Sequence, residues 1–204
     1  MALGRSGKQA QKDLKEILSQ ETCSPEQSKV LRGLGVIGAK GAWLAPEVLD
    51  LAERGAAGLA KRLKDGRSGD AALDMRTSAA LLTLGYIGAS EKKSLALVEK
   101  LLALQIEAQD EGGMQCRMVA TCTLWRFTGA KERVLELYRE GLESPAADSA
   151  IFGLGEMGEH AAVLRSRLAE LLSGPSPRSR EQIADALDKI DGKRPVIGPK
   201  PVVK

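Results

Sequence analysis

The chain has 204 residues, of which 43% are hydrophobic and 28% charged, a balance typical of a folded domain or a short repeat array and not of a disordered chain. Its formal charge of +3 comes from residues 192–204, which carry four basic residues and no acid, so the body of the chain is close to neutral. This distribution argues against a nucleic-acid-binding surface on the body, and no segment has the ~18 consecutive apolar residues of a membrane span.

The first predicted element is an amphipathic helix over residues 8–20, with Ala10, Leu14, Ile17 and Leu18 along one stripe. It is expected to cap the N-terminal end of the protein. The segment lacks the apolar core and cleavage site of a secretory signal. The three cysteines form neither an even set nor a C-x-x-C motif. Both features favour a reducing, cytoplasmic location.

Two segments, GLGVIG at 33–38 and GLGEMG at 153–158, match the G-x-G-x-x-G fingerprint of dinucleotide-binding folds. A true fingerprint follows a β-strand. Here Ser24, Pro25 and Gln27 instead form a helix start, with an N-cap serine, a proline at the first helical position and a glutamine at the capping-box position. The glycines therefore fall at the end of a helix, and no dinucleotide is expected to bind there.

The segment around Leu34 recurs at intervals of 30 to 50 residues. KVLRGLGVIG, AALLTLGYIG and SAIFGLGEMG are close copies, and VATCTLWRFTG and QIADALDKIDG are weaker ones. Each copy has an anchor leucine, then a large apolar residue three positions later, then a glycine expected to end the helix in the left-handed conformation. The anchors are Leu34, Leu84, Leu124, Leu154 and Leu187, and the final glycines are Gly38, Gly88, Gly129, Gly158 and Gly192.

Further glycines lie inside these helices, where each costs about 1 kcal/mol relative to alanine. Close approach of a neighbouring helix would offset that cost, so these glycines are expected to serve helix packing. They are Gly33, Gly35, Gly85, Gly153 and Gly155.

A second amphipathic stretch follows each of the first four copies, and polar loops separate the units. The fifth first-type helix, 179–190, has no second helix after it. The predicted second helices cover 46–63, 91–107, 131–142 and 160–172, and the loops cover 65–70, 109–113, 143–148 and 173–178.

Over residues 25–192 the pattern resembles the HEAT-repeat family, especially short bacterial HEAT-like repeats with an A-L-G-x-[IL]-G signature. GLGVIGAKGA, TLGYIGASEK and GLGEMGEHAA carry the likeness. The copy at 119–129 departs from it, with Trp125 in place of a glycine, and the first unit contains an extra stretch at 53–58.

The resemblance implies an all-α, right-handed α-α superhelix (an α-solenoid) of about four to five helical hairpins over residues 1–192. First helices would form its convex side and second helices its concave side. Residues 193–204 would form an extended, basic, proline-rich tail. That tail is expected to be a passive extension or to dock, either on the end of the solenoid or on a partner.

No catalytic, metal or cofactor site is predicted, so the protein is expected not to be an enzyme. His160 is the single histidine and is expected to be a solvated turn residue, with no G-x-S-x-G or H-E-x-x-H motif nearby. Cys116 and Cys122 would point about 120° apart on one helix, whereas zinc needs about four convergent ligands. Trp43, Trp125 and Tyr86 are expected to fill the core or a groove.

The resemblance implies three alternative functions. The predicted one is a non-catalytic scaffold or adaptor that binds a protein partner through the concave face of the second helices. The alternatives are a chromophore lyase of the phycobilin type and a nucleic-acid-binding solenoid, the latter disfavoured because the second helices alternate in charge. The candidate contact residues are Glu99, Arg133, Glu136, Arg139, Arg167, Lys193, Arg194, Val196 and Ile197.

Overall fold

The computed structural model describes residues 2–20, 24–67, 69–89, 92–107, 109–173 and 180–196, with side chains from residue 9 onward. Within these ranges the regular elements are helical and none is a strand, so the all-α prediction is confirmed. The α-helices are α1 (Ala2–Ser19), α2 (Pro25–Ile37), α3 (Ala45–Lys64), α4 (Ala71–Ile87), α5 (Lys92–Leu102), α6 (Glu111–Thr128), α7 (Lys131–Leu142), α8 (Ala147–Met157), α9 (Arg165–Ser173) and α10 (Arg180–Ile190).

Two 3-10 segments, Gly38–Leu44 and Gly158–Leu164, lead from α2 into α3 and from α8 into α9. Each begins at a glycine with φ 57° and ψ −135°, so the two turns have the same backbone geometry. All five glycines predicted to end a helix have positive φ. The predicted left-handed helical conformation is confirmed at Gly88 and Gly129, whereas Gly38 and Gly158 have the different ψ of −135°. None of the helices in the described ranges is both long and apolar enough to cross a membrane.

The helix start at Ser24 is confirmed, because its side chain accepts a hydrogen bond from the backbone N–H of Gln27 at 3.1 Å. The Gln27 side chain, however, does not close a capping box. It is buried and donates to carbonyl oxygens at the end of α1, including those of Ile17 and Gln20, each at 3.0 Å. This amide therefore holds α1, whose Leu18 is fully buried, against α2.

We call α2, α4, α6, α8 and α10 the first helices, and they contact one another in that order. One hydrogen bond recurs between them: Thr83 in α4 donates to the Leu31 carbonyl in α2 at 3.3 Å, and Thr123 in α6 donates to the Leu81 carbonyl in α4 at 2.9 Å. Both threonines precede an anchor leucine by one residue. The same repeat position thus makes the same inter-helix hydrogen bond in two successive units.

We call α3, α5, α7 and α9 the second helices, and each packs on the first helix that follows it in the chain. The extra stretch 53–58 is part of α3. Its Gly55 and Gly58 lie against Thr77 and Leu73 of α4, where a Cβ atom would collide. The added length therefore extends the α3–α4 contact.

Two predicted second helices have the wrong bounds. Helix α5 ends at Leu102, so the predicted stretch 91–107 is too long and Ile106 lies outside the helix. In the stretch 160–172 the 3-10 segment extends to Leu164 and α9 begins only at Arg165. Val163, predicted on the apolar face of that helix, lies in the 3-10 segment and is 64% exposed.

The predicted loop 109–113 is also partly wrong, because α6 begins at Glu111. The Asp110 carboxylate accepts a hydrogen bond from the Gly113 N–H at 3.1 Å and caps the helix there. Two consecutive glycines indicated a loop, but a local cap outweighed their low helix propensity.

Candidate functional site

The predicted contact residues on the second helices largely pair with one another or with their neighbours. Glu99 in α5 accepts two hydrogen bonds from Arg133 in α7, at 2.7 and 2.6 Å. These bonds lower the pKa of the Glu99 carboxyl. Arg167 in α9 binds Glu143 at 2.7 Å and Glu170 at 3.0 Å. The charges thus tie successive second helices together.

Glu136 and Arg139, also predicted contact residues, are exposed on α7. Neither forms an ion pair or a side-chain hydrogen bond with the residues that the structure describes. They are the two members of the predicted set that remain available to a partner on this face.

The predicted contact residues of the tail fold back on the chain. Lys193 binds Asp191 at 3.2 Å, and Arg194 binds Asp185 at 2.7 Å. Val196 packs on Gly158, where an added Cβ would come within 2.8 Å of it. Ile197 and the remainder of the tail lie outside the described residues. The first residues of the tail therefore meet acidic and apolar groups of their own chain.

The predicted helix-packing role of the interior glycines is confirmed at three positions. A Cβ on Gly155 would lie 3.2 Å from the Ala186 Cα of α10, and one on Gly85 would lie 3.0 Å from the Arg126 side chain. A Cβ on Gly153 would collide with Tyr138. The prediction is wrong for Gly33, which faces open space, while Gly35 makes only an ordinary contact with Tyr86.

The two G-x-G-x-x-G segments contribute lining residues to two equivalent grooves between first helices. One groove, of about 240 Å³, lies between α2 and α4, and the other, of about 260 Å³, lies between α8 and α10. Counted from their anchors, six lining residues occupy the same repeat positions in both. The pairs are Arg32 with Phe152, Gly35 with Gly155, Ala79 with Gln182, Leu82 with Asp185, Thr83 with Ala186, and Tyr86 with Lys189.

The α2–α4 groove is apolar and open. Leu31, Val36 and Leu82 line it together with the ring of Tyr86, and Val36 is 85% exposed at its rim. Arg32 is the only charged residue in this lining.

The equivalent α8–α10 groove is instead lined by charged side chains that pair with one another. Asp185 binds both Lys189, at 3.0 Å, and Arg194, at 2.7 Å. The pKa of the Asp185 carboxyl is lowered, first by the Lys189 hydrogen bond and also by Arg194. Equal backbone positions thus give one apolar groove and one in which Asp185, Lys189 and Arg194 pair with one another.

The positions between these two grooves are filled. The Arg126 side chain covers Gly85, and the buried Trp125 replaces the glycine of the next unit. Its ring lies 5.1 Å from that of His160, which is exposed on the 3-10 segment. Trp125 and Tyr86 therefore fill core and groove, as predicted. The same prediction is wrong for Trp43, which is 40% exposed on the 3-10 segment Gly38–Leu44.

A buried network of polar side chains, which we call the ladder, runs from Tyr86 in one groove to Lys189 in the other. Glu156 in α8 accepts hydrogen bonds from Tyr86 in α4, at 3.0 Å, from Arg126 in α6 and from Lys189 in α10, at 3.3 Å. All four residues stand two positions after an anchor leucine. Burial, and next the Glu156 carboxylate, raise the pKa of Tyr86, so its hydroxyl stays protonated and donates. The Arg126 guanidinium lies 4.2 Å from the Tyr86 ring centre.

A second buried network lies where α3, α4 and α6 meet. Arg62 donates to Asp74 at 3.2 and 3.3 Å and to Asp110 at 3.1 Å. Burial raises the pKa of Asp74, against the opposing effect of Arg62. Gly112 makes room for the Asp74 carboxylate at the start of α6. This network is a structural tie between helices.

The described cysteines are unreactive. Cys116 and Cys122 are buried and unpaired. Burial raises the pKa of Cys116 to about 12 and also raises that of Cys122. Both are therefore thiols at neutral pH, not nucleophilic thiolates. Among the described residues, no three histidine, cysteine or acidic side chains converge as metal ligands.

No protein-family model matches this chain, and no curated protein or solved structure shows significant similarity to it. The candidate site therefore rests on its geometry, and the α2–α4 groove is the strongest candidate. Sequence analysis missed this groove, although one signal was present. The α4 segment AALDMRTSAALLTLGYI is apolar around most of its circumference, which one buried face alone does not require.

Proposed function

We propose that this chain is a non-catalytic scaffold that binds a protein partner, built as a right-handed α-solenoid of four to five HEAT-like hairpins. The ordered contacts of the first helices, the recurring threonine hydrogen bond and the shared glycine turns support the repeat architecture. An N-terminal helix over the first unit is consistent with the cap that such arrays need.

The observation that carries the proposal is the open, apolar α2–α4 groove. Apolar surface that clusters at a concave position, as Val36, Leu82 and Tyr86 do here, is typical of protein interaction sites. Its volume of about 240 Å³ is below that of ordinary small-molecule pockets, which favours a protein side chain over a pigment. We therefore place the interaction on the first helices. The second-helix face, which the sequence favoured, is the alternative surface. It is less available because Glu99, Arg133 and Arg167 are already paired.

Site-specific photocrosslinking in the source organism tests the proposal. A benzoylphenylalanine residue at position 36 should form a covalent product with a defined protein, identified by mass spectrometry. The same residue at position 163, where an exposed valine also stands, is the matched control. Position 139 on α7 tests the second-helix face. The scaffold proposal fails if neither position 36 nor position 139 yields a protein product. Saturable bilin binding, followed by absorbance, would instead favour the lyase.

A further inference from the structure

Helix α4 exposes an apolar stripe of four residues. Met75, Ala79, Leu82 and Tyr86 follow one another at i, i+4, i+7 and i+11, so they lie on one face of the helix. Met75 is 64% exposed, and the other three are partly buried along the groove. At 1.5 Å per residue the stripe is about 16 Å long. A helix of another molecule would cover this length with about three turns.

Helix α2 carries two cations: Arg32 lines the groove, and Lys29 precedes Arg32 by three residues on the same helix. Lys29 and Arg32 are exposed, and neither forms an ion pair or a side-chain hydrogen bond with a described residue. Lys29 stands at the same repeat position as Ala79, and Arg32 at the same position as Leu82. No carboxylate lines this groove, whereas the equivalent α8–α10 groove contains its own acids. The α2–α4 groove thus combines apolar surface with unpaired positive charge.

The Tyr86 side chain lines this groove and is held in place by two neighbours. Glu156 holds its hydroxyl at 3.0 Å, and the Arg126 guanidinium lies over its ring. A side chain that is already fixed loses little conformational entropy when a partner covers it. Aromatic residues in such positions are frequent centres of binding energy.

From these features we propose that the α2–α4 groove binds an acidic amphipathic helix of the partner protein. Apolar side chains on one face of that helix cover the α4 stripe and enter the groove, and its flanking carboxylates pair with Lys29 and Arg32. The inference rests on the proposed scaffold function and specifies the chemistry of its partner.

A synthetic peptide tests the inference on the full chain. The probe is a fluorescein-labelled helical peptide with leucines at i, i+4, i+7 and i+11 and glutamates on both flanks. Fluorescence anisotropy should show saturable binding in roughly the micromolar range, weakened by added salt because the charge pairs are exposed. The same peptide with lysine in place of glutamate should bind at least about tenfold more weakly.

Two leucine substitutions distinguish filling of the groove from the effect of adding a leucine elsewhere on α2. Gly35→Leu should fill the groove and weaken peptide binding at least about tenfold, while the ordinary contact of its Cβ with Tyr86 leaves room for folding. Gly33→Leu is the matched control, because it adds the same side chain two residues away, where nothing lies within 4 Å. It should bind like the parent. Melting curves of both variants verify that they fold.

Charge reversal provides a second, independent test. The K29E/R32E variant should lose the acidic peptide and gain affinity for its lysine version. R139E, on the second-helix face, should bind the acidic peptide like the parent.

Several outcomes would overturn the inference. The acidic and basic peptides could bind equally, or Gly35→Leu could leave binding unchanged. Anionic lipid vesicles or single-stranded DNA could bind through Lys29 and Arg32 without the groove. Sedimentation could show a dimer that Gly35→Leu abolishes, which would make a second copy the occupant. If the peptide fails while position 139 crosslinks a partner, the inference falls and the scaffold function stands.

Discussion

The interior glycines differ in what surrounds them, although the sequence presents them as equivalent. Gly155 lies 3.2 Å, measured from an added Cβ, from the Cα of Ala186, whereas Gly33 faces open space. Local periodicity located both glycines inside helices. It did not say which way each one faces, because that depends on a helix 30 to 50 residues away.

We predict opposite effects of substitution at these two glycines. Gly33→Ala should stabilise the protein by about 0.5–1 kcal/mol, because alanine has the higher helix propensity and meets no neighbour. Gly155→Leu should destabilise it by about 1–3 kcal/mol by overpacking the α8–α10 contact. Urea unfolding measures both values. Equal stability of the Gly155→Leu variant and the parent would show that the helices separate without cost.

Asp191 leads to a prediction about acid stability. Hydrogen bonds from Arg165 and Lys193 lower the pKa of its carboxyl from 3.8 to about 2. A carboxyl whose pKa is lower in the folded state stabilises the fold above pH 3.8 and loses this effect as the pH falls towards 2. Asp191→Asn should therefore melt below the parent at pH 5, and the difference should shrink between pH 4 and pH 2. A difference in melting temperature that stays constant from pH 4 to pH 2 would contradict the lowered pKa of the Asp191 carboxyl.

At the scale of elements, the N-terminal helix is held by hydrogen bonds that its own sequence does not reveal. The Gln27 amide donates to three carbonyls at the end of α1, those of Ile17, Leu18 and Gln20. Arg54 of α3 adds bonds to two of these, at 3.2 and 3.3 Å. The amphipathic stripe predicted the helix, and the last turn of α1 is fixed by α2 and α3.

We predict that Gln27→Leu, which preserves much of the side-chain volume, destabilises the protein by about 1–3 kcal/mol because it leaves buried carbonyls without a donor. The loss should be local, so the amides of α1 should exchange with deuterium faster than those of α6. Gln9→Leu, at an exposed position on α1, is the control. If exchange of α1 is unchanged, Arg54 alone is sufficient to hold it.

At the scale of the whole molecule, the ladder centred on Glu156 connects four first helices that are distant in sequence. It also joins the apolar and the charged groove through Tyr86 and Lys189. Breaking a buried ion pair leaves one charge without compensation, which is more costly than replacing both partners by apolar residues.

We therefore predict that Glu156→Ala destabilises the protein by about 3–5 kcal/mol, since it leaves Arg126 buried beside a cavity. The double variant R126M/E156L should recover much of this loss, because neither charge then remains. Urea unfolding of R126M, E156L and R126M/E156L, each compared with the parent, gives the coupling energy between these residues. Additive losses would show that Arg126 and Glu156 act independently.

The sequence by itself determined the helical class, most helix ends and the repeat. The N-cap at Ser24, the left-handed glycines and the 3.6-residue periodicity act within a few residues, so they can be recognised without the fold. A local cap also explains why α6 begins inside the predicted loop 109–113, since the Asp110 carboxylate caps the helix before the two glycines. Helix α8 likewise begins at Ala147, inside the predicted loop 143–148.

Only the tertiary structure decided which surface is open. The second-helix charges chosen from the sequence mostly pair across helices, as Glu99 does with Arg133. Equivalent repeat positions became an apolar groove at Leu82 and a charged one at Asp185. Exposure and charge pairing depend on side chains brought together from different units, and this packing is not encoded in the periodicity of any one helix.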